Sequence, residues 1–190
     1  MDATVIDRRE RILSAASALI VRSGLQFSMA EVAKEAGVAI GSIYHYFHSK
    51  DDMVRAIYDR LTERMVAAVV VDHAPDTPHE ARVRRYIDDY IAFVLADPQQ
   101  AVLFEYLSSV PPMQPGELER IFAPVTRYTS RLMTEAHAAG VLKDFAPGDL
   151  GAFLGGGIRN TLKWRRSEGR TPDAAERARI AEMCWSAIRA

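Results

Sequence analysis

The sequence predicts an all-α fold of about nine helices: an N-terminal three-helix head followed by a C-terminal helical bundle. Three observations predict it. Apolar residues recur at helical spacing along most of the chain. Strand-like alternation is nearly absent. The prolines, none of which precedes Pro75, fall mostly between the helical patterns, where proline starts or ends a helix.

In the first helix, Ile12, Ala15, Ala16, Leu19 and Ile20 share one face. Gly24 then supplies a left-handed stop. Ser28 and Glu31 have the spacing of a capping box, so a second helix starts there. Val32, Ala33 and Ala36 are its apolar face, and Gly37 turns the chain. A third, short helix covers about 39–47, with Ile43 and Phe47 at i and i+4 facing inward. A fourth starts at Ser49, where Asp52 completes a second capping box; the run Val69, Val70, Val71 continues its pattern. A fifth carries Val83, Tyr86, Ile87, Tyr90, Ile91, Val94 and Leu95 on one face and stops before Pro98. Four more helices cover about 99–110, 117–139, 148–168 and 173–189, with Pro124 expected to kink the second of these. The domain division expected is 1–50 and 51–190.

Composition narrows the function. The chain has 190 residues, 48% of them hydrophobic and 26% charged, which is enough apolar material for a core and excludes a disordered chain. The apolar run at 65–71 is far shorter than the ~20 residues of a membrane span. The start, Met1 to Arg8, has no charged-then-apolar leader pattern, so a cytoplasmic protein is expected. Cys184 is the sole cysteine, which excludes an internal disulfide and a cysteine metal cluster. It reads as a small buried apolar residue; a redox sensor would lack a resolving partner. A net charge of -1 means that any DNA contact is local. No enzyme is expected, and no cofactor or metal. His45 and His48 are spaced i, i+3 without a third ligand nearby, and no zinc-protease, nucleophile-elbow or phosphate-loop motif occurs.

The segment from Ser28 to Phe47 carries the functional reading. A short helix, a glycine turn plugged by Val38 and a second short helix describe a helix-turn-helix motif, whose second helix enters the major groove. An ordinary αα-hairpin is the alternative. Against it, Tyr44, His45 and Tyr46 are consecutive and cannot all face one core, and hydroxyls and imidazole on an exposed helix suit phosphate contacts. Lys50, next to the cap Ser49, opposes the helix dipole, so helix stability does not explain it. A phosphate placed there meets both the ammonium and free backbone N–H groups.

Residues from about 8 to 57 resemble the DNA-binding domain of TetR-family transcriptional regulators. The resemblance is carried by Gly24, Ser28, Ala36-Gly37-Val38, Gly41-Ser42, Ile43-Tyr44-His45-Tyr46-Phe47 and Ser49-Lys50. It implies that Tyr44, His45 and Lys50 bind phosphates and that Ala39, Ile40, Gly41 and Ser42 face base edges, with Ser28 and Tyr46 in the same interface. The sequence departs from the family pattern twice. Ala39 stands where a serine commonly opens the recognition helix, and Ile40 where polar or basic residues are frequent. An isoleucine makes no bidentate bond to guanine but contacts a thymine methyl. Arg8, Arg9 and Arg11 either reach an adjacent groove or form the solvated basic start of a helix.

One short recognition helix reads few base pairs, so a homodimer on a palindromic double-stranded operator is expected. The resemblance implies that the last two helices pair with a partner's. Gly151, Phe153, Gly155, Ala181, Cys184, Trp185 and Ile188 are the expected interface, because mid-helix glycines permit close helix approach or leave room for a ligand. The middle region is rich in aromatics and methionine, including Met113. Tyr90, Phe93, Phe104, Tyr128, Met133, Arg159, Asn160 and Trp164 are the candidate effector-binding residues, beside the plainer reading of bundle core. Glu105, Arg127 and Lys163 are further polar candidates. The function expected is a ligand-responsive repressor released by a small hydrophobic or aromatic effector. The competing reading is a helical interaction module without specific DNA binding.

Overall fold

The structure is a computed structural model that describes residues 3–109 and 116–190, with side chains from Arg8 onward; Val110 and Met113 lie outside the described residues. Nine α-helices form among them: α1 (Ala3–Ser23), α2 (Met29–Ala36), α3 (Ile40–Tyr46), α4 (Lys50–Val69), α5 (His79–Ala96), α6 (Pro98–Ser109), α7 (Glu117–Ala138), α8 (Pro147–Ser167) and α9 (Ala174–Ile188). No strand occurs among the described residues, only an isolated bridge between Leu142 and Arg189. No described helix is long and apolar enough to cross a membrane. The fold is therefore all-α, as the periodicity predicts. One boundary differs: α4 ends at Val69, and Val70 keeps only a last bond to the Val66 carbonyl (3.0 Å) before the segment that holds Pro75.

The chain divides into two compact units. The first is Met1–Thr62 with Val102–Ile121; the second is Glu63–Ala101 with Phe122–Ala190. Residues 51–62, counted with the second domain on sequence, thus pack with the head.

In the first unit Ile12, Leu13, Ala16 and Ile20 of α1 are buried with Val32, Ile43, Phe47, Met53 and Ile57. Each large apolar side chain buried this fully contributes about 2 kcal/mol. The surface pair Arg22–Glu35 (3.1 Å), with side chains 60% and 37% exposed, contributes at most about 1 kcal/mol. Core packing, not surface charge, therefore holds the head together. One half-buried cation reinforces it. Arg60 of α4 donates to Ser17 Oγ (2.7 Å), Ser14 Oγ (3.2 Å), the Leu13 carbonyl (3.3 Å) and Glu10 (3.3 Å), tying α4 along α1.

The far parts of the chain complete the same unit. The Tyr58 hydroxyl donates to the Leu107 carbonyl (2.8 Å), and burial pushes its pKa up to about 12. The Leu25 N–H donates to the Tyr106 hydroxyl (3.1 Å). Arg55 bonds both Glu117 and Asp52. The Asp52 carboxylate thus turns to Arg55 (3.0 Å), while the Asp52 N–H donates to Ser49 Oγ (3.1 Å); this is the donor half of the capping box expected at α4.

In the second unit α5 packs against α8 and α9. Val83, Tyr86, Ile87, Tyr90, Ile91 and Val94 are buried along the face read from sequence. Asp173 caps α9 by accepting the Glu176 N–H (2.7 Å). The chain end is fastened by Lys143 N–H to the Ile188 carbonyl (2.8 Å) and Ala190 N–H to the Val141 carbonyl (3.0 Å). α7 runs through Pro124, which deprives the helix of one N–H donor.

Candidate nucleic-acid interface

The head presents α3 through two well-made joints. At the start of α2, Ser28 Oγ accepts the Glu31 N–H (3.2 Å), while the Glu31 carboxylate accepts the Ser28 N–H (2.7 Å) and hydroxyl (2.8 Å). These bonds hold the Glu31 carboxyl below the usual carboxylate range. At its end, Gly37 adopts φ 63°, ψ 41°, the left-handed region that glycine enters without strain. Gly37 N–H bonds the Lys34 carbonyl (3.2 Å) and Val38 N–H the Ala33 carbonyl (3.0 Å), which is the Schellman closure. Arg11 adds a bond to the Ala36 carbonyl (3.3 Å).

α3 follows at once. Ala39 is its N-cap and provides no side-chain bond, as alanine must. Ile43 and Phe47 are buried and anchor one face. The opposite face is open: Ala39, Ile40, Gly41, Tyr44 and His45 are exposed, while Ser42 and Tyr46 are half-buried. Tyr44 is 52% exposed and Ile40 44%. The rings of His45 and Tyr46 meet edge to face at 5.0 Å, so Tyr46 supports the imidazole.

Four residues expected at the interface have partners within the chain. The Ser28 hydroxyl is committed to the capping box. Lys50 Nζ donates to the Leu25 carbonyl and stands 4.6 Å from the centroid of the Phe27 ring. Its place in the first turn of α4 therefore has an internal explanation that the sequence reading lacked: it closes the Gly24–Gln26 turn, and two of its three donors remain. Arg9 stacks over Phe47 at 5.6 Å and Arg11 donates to the Ala36 carbonyl at the end of α2, while all three arginines remain exposed.

The candidate effector residues do not form one cluster. Phe104 is buried in the first unit. Tyr90, Phe93, Tyr128 and Met133 are buried in the second. Tyr86 connects them, 5.9 Å from Tyr90 and 6.3 Å from Tyr128 between ring centroids. Burial pushes the Tyr86 hydroxyl up to about 12. Arg159 Nη1 donates to the Tyr90 hydroxyl (2.6 Å). Asn160, Lys163 and Trp164 lie on the exposed side of α8, and Arg127 is exposed on α7. Helical phase separates the two sets, since Arg159 points to α5 and its neighbour Asn160 points to solvent. A surface groove of about 150 Å³ also opens in this unit, lined by Asp72, His73, Arg82, Tyr128, Arg131 and Glu135. There the His73 ring nitrogen meets the Tyr128 hydroxyl (3.1 Å), and burial lowers the His73 pKa.

The expected dimer residues divide as well. Cys184, Trp185 and Ile188 are buried within the chain, with the Arg84 guanidinium 4.8 Å over the Trp185 ring. Their stripe packs on the chain's own bundle. Gly151 and Gly155 also serve intrachain approach: a Cβ at Gly151 would lie 2.9 Å from Thr129, and one at Gly155 would lie 3.6 Å from the Tyr90 hydroxyl. Ala181 is half-buried. Phe153, Trp164 and Met183 are 59%, 56% and 56% exposed, and Gly156 and Gly157 adjoin open space. Met183 was not among the residues singled out from sequence. Arg60 carries no signal in the sequence, and Tyr106 stands there only as one of the middle-region aromatics; their partners lie more than 40 residues away in sequence, beyond any local pattern.

Residues 12–57 match the family of bacterial regulatory proteins described as the tetR family. The chain is 34% identical over 93 residues to an HTH-type transcriptional regulator of Haemophilus influenzae, a match covering 48% of this chain and 50% of that one. It is 28% identical over 100 residues to the HTH-type nicotine-responsive transcriptional repressor HdnoR of Paenarthrobacter nicotinovorans, covering 51% and 50%. The chain thus spans about half the length of these curated relatives in each match. A TetR-family transcription regulator from Marinobacter aquaeolei has the same fold, with a TM-score of 0.87 at 16% identity over 100% of this chain and 99% of that one.

Proposed function

We propose that this chain, whose residues 12–57 match the bacterial regulatory proteins of the tetR family, is a transcriptional regulator with a DNA-binding head that acts as a homodimeric repressor released by a small effector. The observation that carries this is α3. Its apolar face is buried at Ile43 and Phe47, and its other face holds Tyr44 and His45 out to solvent. A short helix held this way suits entry into a major groove, with Tyr44, His45 and the remaining donors of Lys50 on phosphates. Ala39, Ile40, Gly41 and Ser42 face the bases, with Tyr46 behind them and Ser28 fixing the approach of α2.

Two such heads on a palindromic operator require a pair of chains. Phe153 and Trp164 on α8 and Met183 on α9 are the apolar surface that supports pairing, with Gly156 and Gly157 allowing close approach. The effector's place is the second unit, at Tyr90, Phe93, Tyr128 and Met133, with Arg159 as its polar partner. The nicotine response named for one relative supports an aromatic effector class.

Selection from a random duplex library, followed by fluorescence anisotropy at several salt concentrations, tests the reading. Enrichment of a two-fold symmetric site, with affinity falling steeply as salt rises, is the expected result. Tyr44→Ala weakens binding on all sequences about equally. Phe153→Asp or Trp164→Asp yields a monomer in sedimentation. Failure to enrich any duplex, with salt-independent behaviour, overturns DNA binding in favour of a helical interaction module.

A further inference from the structure

Among the described residues, nothing in the packing or the backbone requires glycine at Gly41. It is exposed in the first turn of α3 and its φ is not positive, whereas Gly24 and Gly37 have φ near +64° and +63°. A Cβ built on Gly41 meets nothing within 4 Å among the described residues. Glycine at such a position weakens a helix about fivefold relative to alanine. Backbone kept bare without packing or turn demands is backbone that another molecule approaches closely.

Its neighbours say what that molecule offers. Residues 39–47 include no Arg, Lys, Asn or Gln, the side chains that make bidentate bonds to guanine or adenine. Ser42 is half-buried. The surface left at the start of α3 is the Ala39 methyl and the Ile40 side chain, 44% exposed. The C5-methyl of thymine is the apolar feature of the major-groove edges.

We propose that Ile40 reads the C5-methyl of a thymine in each half-site, and that Gly41 leaves the space in which the base edge lies against α3. The inference rests on the reading that α3 enters the major groove, and it assigns the chemistry of recognition there: methyl contact in place of hydrogen-bonded readout.

The test uses the full chain and the duplex recovered by selection. Each thymine is replaced in turn by deoxyuridine, which removes the methyl and leaves base pairing unchanged. One position per half-site weakens binding about fourfold, the worth of one buried methylene. Ile40→Ala, an exposed substitution, binds the thymine and uracil duplexes equally. Gly41→Ala melts at the same or a higher temperature yet binds DNA more weakly, a divergence that a merely structural role would not produce. If every uracil duplex binds as tightly as its parent, or Gly41→Ala leaves affinity unchanged, the inference is overturned while DNA binding stands. If no duplex is recovered at low salt, the groove reading itself fails.

Discussion

Gly24 and Tyr106 form a coupled pair whose energetics can be worked out in advance. Gly24 has φ +64°, and a Cβ there would lie 2.6 Å from the Tyr106 hydroxyl, the group that accepts the Leu25 N–H. Gly24→Ala carries two costs. The left-handed backbone costs a non-glycine residue about 1.5 kcal/mol. The methyl also displaces the phenol, and the lost hydrogen bond costs about 1 kcal/mol. The expected destabilisation of the head is therefore about 2.5 kcal/mol. Tyr106→Phe loses the same hydrogen bond and costs about 1 kcal/mol. In the double variant that bond is counted once, so Tyr106→Phe adds almost nothing to Gly24→Ala. Urea unfolding of the four proteins measures the cycle, with a coupling of about 1 kcal/mol expected. Strict additivity would refute the reasoning, because it would mean that the methyl and the hydroxyl never compete.

Further predictions follow the same logic. Ser28→Ala removes the acceptor for the Glu31 N–H and lowers stability by about 1 kcal/mol in thermal or urea unfolding. Thr62→Val replaces a buried hydroxyl oxygen that has no partner among the described residues and raises stability by up to about 1 kcal/mol, read as a higher urea midpoint. Hydrogen bonds hold the carboxyls of Glu31, Glu176 and Glu182 below their ordinary values. Their stabilisation is complete above the ordinary carboxylate range and is lost as pH falls through the lowered folded values. A melting-temperature series from pH 6 to pH 3 therefore declines, and Ser28→Ala flattens the part due to Glu31. Gly157→Ala, with open space at its Cβ, stabilises the isolated chain by about 0.5–1 kcal/mol yet weakens self-association in sedimentation if α8 is the pairing surface.

The helices were legible because their signals are local. Ser28 with Glu31, Gly37 after Ala36, and the repeat from Val83 to Val94 each act within one or two turns, and the structure uses each of them that way. Partnership was not legible. The stripe Cys184, Trp185, Ile188 shows that one face of α9 is covered; it carries no mark of whether the cover belongs to the same chain. Gly151 and Gly155 signal close approach without naming Thr129 or Tyr90 as the neighbour. Lys50 was read against its own helix dipole, while its actual partner, the Leu25 carbonyl, lies 25 residues earlier. The exposed face of α3 could be inferred because three consecutive aromatic side chains on one helix cannot share a core.

The head is not a contiguous stretch of gene. A fragment ending at Thr62 would carry every helix of the motif yet lack residues 102–121, and with them the phenol on Leu25 and the carboxylate on Arg55. Grafting this head onto another protein therefore means transplanting two segments, and recombination that swaps only the first would leave its turn unbraced.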